Sequence, residues 1–298
     1  MSGRIVIAGA GGQLGGLMTT LAAEQERDAI GFTSSQWDIT DPDAADRIIG
    51  SGDAVVNCAA YTNVDGAESD QASAYAVNAA GPENLARACA RAGARFIHVS
   101  TDYVFGGAGL DGPPRPYEPS DPVAPVGVYG QSKYAGEQAA LAAFPDAVVM
   151  RTAWVYTGGS GKDFAAVMAR LAAGDGPIDV VDDQVGSPTY AGDLAAAILQ
   201  VIDDGVTGQL LHAANEGAVS RYGQARAVFE ECGADPDRVR PVSTDQFPRP
   251  APRPSYSALS GVESATRGLT PLRPWRVALT AAMATHGPRA DRGASSDS

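Results

Sequence analysis

The stretch RIVIAGAGGQLGGLM, residues 4–18, decides the fold of this chain. Residues 5–8 are a short apolar run typical of a buried strand, and Gly9, Gly12 and Gly15 follow it and lead into an amphipathic segment. In a dinucleotide-binding fingerprint the first glycine permits a tight turn, the second admits a pyrophosphate, and the third lets helix and strand pack closely. A glycine-rich turn without a ligand is the alternative, which the surrounding strand and helix pattern disfavours.

The rest of the first half alternates short apolar runs with longer amphipathic ones, which predicts parallel strands joined by helices. The strands are predicted at residues 5–8, 29–32, 54–58, 96–100 and 148–151. Asp41 followed by Pro42 predicts a helix start, and residues 73–92 predict one long helix that ends at Gly93. The expected fold is α/β, a Rossmann-type doubly wound parallel sheet with a smaller α/β C-terminal lobe.

Three regions are predicted along the chain. Residues 1–152 form the NAD(P)-binding domain, residues 153–286 form mainly the substrate-binding lobe, and residues 287–298 form a disordered tail. Some segments of the second region can return to the first domain. Helices are predicted there at 164–173, 190–202 and 222–232, and the proline-rich segment 247–254 is expected to be extended.

Composition narrows the functional class. A net charge of −13 over 298 residues argues against a nucleic-acid-binding surface. No apolar run approaches the ~20 residues needed to span a bilayer, and no signal peptide is recognisable, so a cytoplasmic protein without membrane contact is expected. Three well-separated cysteines and three histidines share no metal-ligand spacing, so no metal site is predicted.

The end of the second strand bears on the cofactor. An acidic residue at this place binds the ribose 2′-hydroxyl in NAD-specific sites, whereas Thr33 and Ser34 stand here. Hydroxyls without a carboxylate favour the 2′-phosphate of NADPH and leave NADH possible. Asp38 and Ile39 follow, where an adenine ring could rest, although Asp38 could equally be a plain loop residue.

Tyr129 and Lys133 are the candidate catalytic pair. Four residues are about one helical turn, so both side chains project from the same face. A nearby ammonium is expected to lower the pKa of the phenol and make Tyr129 a usable proton donor. Lys133 is also one of only two lysines in the chain.

The segment VSTDYVF, residues 99–105, is predicted to supply a third functional group. Ligands bind at the carboxyl ends of parallel strands, so Thr101 is expected to hydrogen-bond a substrate carbonyl and Asp102 to meet sugar hydroxyls. Each residue alone could equally end a strand and cap a turn.

Six motifs together make the chain resemble the dTDP-4-dehydrorhamnose reductases, within the extended short-chain dehydrogenase family, from about residue 4 to about residue 285. They are GAGGQLG, AAYTNVDGAE, VSTDYVFGG, YGQSK, RTAWVY and DQVGSPTY. The resemblance implies NADPH-dependent reduction of the C4 ketone of dTDP-4-dehydro-L-rhamnose, the last step in making dTDP-L-rhamnose.

The resemblance also implies residue roles. Tyr129 would donate the proton, Lys133 would lower its pKa and hold the nicotinamide ribose, and Thr101 would tune the carbonyl contact. The positions matched to cofactor contacts, together with the glycine-loop and second-strand residues above, are Gly9, Gly12, Gln13, Leu14, Thr33, Ser34, Asp38, Ile39, Ala59, Ala60, Tyr61, Thr62, Tyr129 and Lys133. The substrate-contact positions are Val64, Thr101, Asp102, Tyr129 and Trp154. Separately from the resemblance, the diphosphate needs positive partners in an acidic protein, and Arg249 and Arg253 of the proline-rich segment are assigned to it.

One departure concerns metal and assembly. Some family members bind Mg²⁺ at a dimer interface through glutamates, and Leu17 stands at one matching position here. No such metal is therefore predicted, and monomer and homodimer both stay open.

Two other functions compete with this interpretation. One is a reductase or epimerase acting on another nucleotide sugar, because the Tyr–Lys pair is shared across the superfamily. The other is a noncatalytic, nucleotide-binding regulatory subunit. Such a subunit would be expected to lose parts of the catalytic set, whereas Thr101, Tyr129 and Lys133 are all present.

Overall fold

The computed structural model describes residues 3–106, 114–159 and 161–286. Its strands are β1 Ile5–Ala8, β2 Ala29–Phe32, β3 Ala54–Asn57, β4 Arg95–Thr101, β5 Val148–Thr152, β6 Val155–Tyr156, β7 Ile178–Val181, β8 Val185–Gly186, β9 Thr189–Tyr190, β10 Leu210–His212, β11 Val219–Ser220 and β12 Val239–Val242. Its α-helices are α1 Gln13–Glu24, α2 Pro42–Ile48, α3 Val64–Ser69, α4 Gln71–Tyr75, α5 Gly81–Ala92, α6 Val128–Ala143, α7 Phe164–Ala172, α8 Ala191–Asp203, α9 Arg221–Glu231, α10 Val262–Thr266 and α11 Trp275–His286.

The central sheet is parallel and six-stranded, in the order β10-β5-β4-β3-β1-β2. The chain leaves β1 toward β2 on one side and returns to β3 on the other, so the strand order reverses at β1. Ala8 is in register with Phe32 and with Asn57, which aligns the carboxyl ends of these strands. Ligands bind at such a switch point in doubly wound sheets. The predicted Rossmann-type fold class is confirmed.

Alternation along β1 explains the two layers of helices. Successive side chains of a strand point to opposite faces. Ile5 and Ile7 pack with Met18 of α1 in one apolar core, whereas Val6 packs with Leu85 of α5 in the other. Every residue of β1 is buried, as expected for a strand covered on both sides.

Two elements beyond residue 152 join the first domain. Strand β10 pairs with β5 at the edge of the central sheet, and Leu194 and Ile198 of α8 pack in the same core as β1. The remaining segments build a second lobe with its own core, which includes Tyr156, Met168 and Phe229. The first domain is therefore not continuous in sequence, because β10 and α8, which follow residue 152, pack with the elements before it.

The predicted helix over residues 73–92 is wrong in its middle. Helix α4 continues into a π-helical turn, Ala76–Ala80, before α5 begins. Pro82 has no N–H and cannot donate to the carbonyl of Asn78 four residues earlier, so the regular ladder is interrupted there. π turns of this kind occur frequently at functional sites.

The other predicted strands and helices match the structure to within one residue at each end. Residues 247–254 contain no helix and no strand. The predicted tail, residues 287–298, lies outside the described residues. No helix in the described ranges combines the length and apolar character needed to cross a membrane.

Candidate active site

The glycine loop after β1 forms a cradle for an anion. Gly9 has φ +82°, a conformation that favours glycine, and a Cβ there would lie 2.6 Å from the Ala59 backbone nitrogen. A Cβ on Gly15 would lie 2.4 Å from the Gly9 carbonyl oxygen. The loop is held by Gly9 and Ala10 N–H groups, which donate to the Phe32 carbonyl at 3.0 and 2.9 Å. The close packing assigned to these glycines is therefore present.

Helix α1 begins directly after the cradle. Its N-cap is Gly12, which has no side chain to satisfy the first amides, and helix N-termini attract anions. The Gln13 side chain reaches the second lobe, where Nε2 donates to Asp163 Oδ2 at 3.3 Å. The residues present fit the pyrophosphate of a dinucleotide.

The end of β2 fits a 2′-phosphate. Thr33 and Ser34 line the cavity without a carboxylate between them, and the Thr33 and Ser35 hydroxyls lie 2.9 Å apart. Asp38 also lines the cavity, but its carboxylate accepts two hydrogen bonds from Thr40, at 2.9 and 2.7 Å. The Thr40 hydroxyl and amide lower the pKa of Asp38, so this carboxylate stays charged and engaged with its own turn.

One cavity of about 990 Å³ joins the nucleotide cradle to the Tyr–Lys pair. Nearly all the predicted site residues line it. They are Gly9, Gly12, Gln13, Leu14, Thr33, Ser34, Asp38, Ile39, Ala59, Ala60, Tyr61, Thr62, Val64, Thr101, Asp102, Tyr129, Lys133 and Trp154. Their common location is a finding of the structure, and their individual roles stay predictions.

The sequence interpretation of the Tyr129 pKa requires correction. Desolvation raises the pKa of the Tyr129 phenol, and a hydrogen bond with Thr101 opposes that rise. The expected lowering by Lys133 does not dominate in the structure, because the Lys133 ammonium instead donates to the Val99 carbonyl at 2.7 Å. Tyr129 is therefore a neutral phenol at neutral pH, with its proton in place.

Lys133 is buried on α6, one turn after Tyr129. Burial lowers the pKa of Lys133 to about 8, and the negative charge of Glu137 on the next turn opposes that change. Glu137 is itself paired with Arg151 across a buried contact of 2.7 Å. The lysine thus retains its charge at neutral pH and approaches its titration range in mildly alkaline solution.

Thr101 and Asp102 lie at the carboxyl end of β4. Thr101 Oγ1 donates to Asp102 Oδ1 at 3.2 Å, and Ser257 Oγ donates to Asp102 Oδ2 at 2.5 Å. Burial raises the pKa of Asp102 to about 6, although the Ser257 hydrogen bond stabilises its charged form. This carboxylate is positioned by neutral donors, which fits the predicted contact with sugar hydroxyls.

Trp154 has an unusual backbone. Its φ is +47°, which is rare for a bulky residue and costs of order 1–3 kcal/mol. The indole packs on Gly186, where a Cβ would lie 2.4 Å from Trp154 Cε2. The strained Trp154 backbone and the absence of a side chain on Gly186 together allow the indole to form part of the cavity wall.

The two arginines assigned to the diphosphate lie elsewhere. Arg253 Nη1 donates to Asp65 Oδ1 at 2.7 Å, and Arg249 lies 3.7 Å from the other oxygen of Asp65. Neither residue lines the cavity. Their role toward the diphosphate stays a prediction, and Asp65 already neutralises part of their charge.

Sequence reasoning missed several lining residues, among them Tyr103, Lys162, Asp163 and Arg221. Tyr103 packs edge-on against Tyr129, with ring centroids 5.4 Å apart, and its place after Thr101 and Asp102 was a signal that could have revealed it. Arg221 is far from every motif in the sequence, so no local pattern indicated it.

Asn78 was also missed. Its side chain accepts from the Tyr61 N–H at 2.8 Å and donates to Ser132 Oγ at 3.0 Å. The π turn thereby ties the segment after β3 to the helix that carries Tyr129 and Lys133. Within the described ranges, no cluster of three or more His, Cys, Asp or Glu side chains could hold a metal ion.

Comparison with known proteins adds independent findings. The family model described as "RmlD substrate binding domain" matches residues 3–287. A dTDP-4-dehydrorhamnose reductase of Mycobacterium tuberculosis is 71% identical over 283 residues, 95% of this chain and 93% of that protein. The protein of the same name from Mycolicibacterium smegmatis is 60% identical, over 95% of this chain and 86% of its own length.

A solved structure agrees with them. The dTDP-4-dehydrorhamnose reductase from Bacillus anthracis, in complex with NADP, superposes with a TM-score of 0.88 at 34% identity. The match covers 96% of this chain and all of that one.

Proposed function

Because this chain belongs to the RmlD substrate-binding-domain family, we propose that it reduces the C4 ketone of dTDP-4-dehydro-L-rhamnose with NADPH and forms dTDP-L-rhamnose. It is an NAD(P)H-dependent oxidoreductase of dTDP-rhamnose biosynthesis. The observation that carries the proposal is the joining of Thr101, Tyr129 and Lys133 to a glycine-loop cradle in one cavity.

The chemistry divides between cofactor and chain. NADPH, when bound, supplies the hydride that reduces C4. Tyr129 holds its proton as a neutral phenol and donates it to the oxygen as negative charge develops there. Lys133 then stabilises the phenolate by its positive charge, and Thr101 orients the phenol through their hydrogen bond.

Substrate positioning falls to the other cavity residues. Asp102 accepts hydrogen bonds from sugar hydroxyls, while Trp154 and Val64 bound the sugar. The segments beyond residue 152 that line the cavity supply the substrate lobe. Holding the ketone against the cofactor in this way contributes through proximity and orientation.

The setting of the enzyme completes the proposal. We propose a cytoplasmic location, which the similarity to a dTDP-4-dehydrorhamnose reductase supports. A net charge of −13 disfavours a nucleic-acid partner. We propose a monomer or a homodimer, which light scattering on the purified protein distinguishes.

The decisive experiment is Tyr129→Phe, assayed by NADPH consumption and dTDP-L-rhamnose formation. We expect turnover to fall by about 10²–10⁴-fold, because the variant lacks the donated proton, while NADPH affinity stays unchanged. Tyr134→Phe is the matched control, since Tyr134 lies on the same helix and packs in a different apolar cluster. Undiminished turnover in Tyr129→Phe would show that another group donates the proton.

A wild-type protein that binds NADPH and yet forms no dTDP-L-rhamnose would refute the assigned reaction. A different nucleotide-linked keto sugar would then be tested as substrate.

A further inference from the structure

Arg221 lines the cavity, and the mechanism above gives it no role. It is the first residue of α9, where Ser220 caps the helix by accepting from the Gly223 N–H at 3.0 Å. The Arg221 backbone N–H donates to the Gln184 carbonyl at 3.1 Å. The second lobe therefore fixes the point from which this side chain extends.

Two aromatic rings hold the guanidinium. Its Cζ lies 3.5 Å from the ring centroid of Trp154 and 4.9 Å from that of Phe164. Such cation–π contacts contribute about 0.5–2 kcal/mol each and restrict the plane of the group. An arginine that stacks through its faces keeps its N–H donors, which lie in its plane, for hydrogen bonds.

Those donors are little used within the protein. Among the described residues, the Arg221 side chain makes one hydrogen bond, from Nη1 to Gln224 Oε1 at 3.2 Å. In the part of the chain that the structure describes, no carboxylate forms an ion pair with it, although fifteen ion pairs occur elsewhere in that part. Cations that are partly withdrawn from water are normally paired, and Arg221 is half-buried, so it is suited to an anion from outside.

The surroundings support an anionic ligand. Desolvation lowers the pKa of Arg221 to about 10, so it remains charged at neutral pH, and the positive charge of Arg253 also acts to lower it. The nearby carboxylates already have partners, since Asp65 pairs with Arg253 and Asp102 accepts from Ser257. Asp102, Tyr103 and Arg221 line the same cavity, and the charges of Asp102 and Arg221 both act on the pKa of Tyr103.

We propose that Arg221 is a substrate-binding residue that holds the diphosphate of the dTDP-sugar, on the face of the cavity beyond the sugar site formed by Asp102 and Trp154. The proposal rests on the proposed function. A planar guanidinium binds phosphate oxygens through two parallel N–H bonds. Stacking on Trp154 also joins the diphosphate contact to the wall of the sugar site.

The test uses the full chain and two probes. Binding of dTDP is measured by calorimetry, and binding of thymidine, which lacks the phosphates, by ligand-observed NMR. Arg221→Gln is expected to weaken dTDP binding by about 10-fold or more and to leave thymidine and NADPH binding unchanged. Arg240→Gln is the matched control, because Arg240 is an exposed partner of Asp179 in the same lobe and does not line the cavity.

Arg221→Lys keeps the charge and loses the planar fork, so its dTDP affinity should fall between those of the wild type and Arg221→Gln. It also serves as the test variant if Arg221→Gln fails to fold. Unchanged dTDP affinity, or equal weakening of dTDP and thymidine, would overturn the proposal, the latter because Arg221 would then only support Trp154.

The two proposals fail separately. A wild type that binds dTDP through Arg221 and yet reduces no dTDP-4-dehydro-L-rhamnose would refute the reaction and retain the diphosphate site.

Discussion

At the scale of single residues, Tyr129 carries the proton that is donated, and Lys133 carries the positive charge that stabilises the resulting phenolate. Desolvation keeps Tyr129 protonated, whereas Lys133 loses its positive charge as the pH rises above its pKa of about 8. The charge of Glu137, on the next turn, acts to raise the pKa of Lys133, and so does Cys58, the residue directly after β3. We therefore expect loss of the Lys133 charge to set the alkaline limit of activity.

We expect kcat/KM for NADPH to decline as pH rises above about 8, because the free enzyme loses the Lys133 charge there. In Lys133→Arg the charged group has a pKa above ~12, so the decline above pH about 8 should disappear even if the absolute rate is lower. The measurement is the pH–rate profile of both proteins. An alkaline decline at the same pH in both would assign it to a different group.

At the scale of elements, helix α6 carries the catalytic pair and packs against the π turn. Gly136 makes this approach possible, since a Cβ there would lie 1.9 Å from the Asn78 carbonyl oxygen. The atom that a Cβ at Gly136 would meet belongs to the backbone, which cannot move aside as a flexible side chain can. One glycine thus sets the distance between Asn78 and the helix of Tyr129.

Gly136→Ala is expected to destabilise the protein by about 1–3 kcal/mol through overpacking, despite the better helix propensity of alanine. Urea unfolding measures the change. Gly176→Ala is the control, because a Cβ there meets nothing within 4 Å, and its stability should stay within about 1 kcal/mol of the wild type. Equal unfolding midpoints for the two variants would show that α6 can move away from the turn.

At the scale of the whole molecule, β10 forms one edge of the central sheet and connects the sheet to segments that are distant in the sequence. His212 of β10 is buried, and its ring Nδ1 lies 2.9 Å from the Tyr117 carbonyl oxygen. Its backbone N–H donates to Ser264 Oγ at 2.7 Å. Burial lowers the pKa of His212 to about 3. The unfolded chain binds a proton at this residue below pH ~6.5, so stability is complete above that pH and is lost as pH falls toward about 3.

Between pH ~6.5 and ~5, His212 alone should reduce the free energy of unfolding by about 2 kcal/mol, at about 1.4 kcal/mol per pH unit. His212→Asn can retain a donor toward Tyr117 and does not titrate, so its loss of stability over this range should be smaller by that amount. Urea unfolding at several pH values measures both slopes. Identical slopes would mean that His212 is protonated in the folded protein.

The sequence by itself determined the parts of this protein that depend on neighbours along the chain. Gly9 and Gly15 follow a strand and open a helix, and Tyr129 and Lys133 are one turn apart, so local geometry was sufficient to predict the sheet, the cradle and the pair. Only the tertiary structure decided what depends on distant contacts. It placed β10 in the first sheet, interrupted the helix at Asn78, directed Lys133 to the Val99 carbonyl, paired Arg253 with Asp65, and set Arg221 against Trp154. The physical reason is that burial and charge pairing depend on separation in space, and periodicity along a chain carries no record of which remote side chains meet.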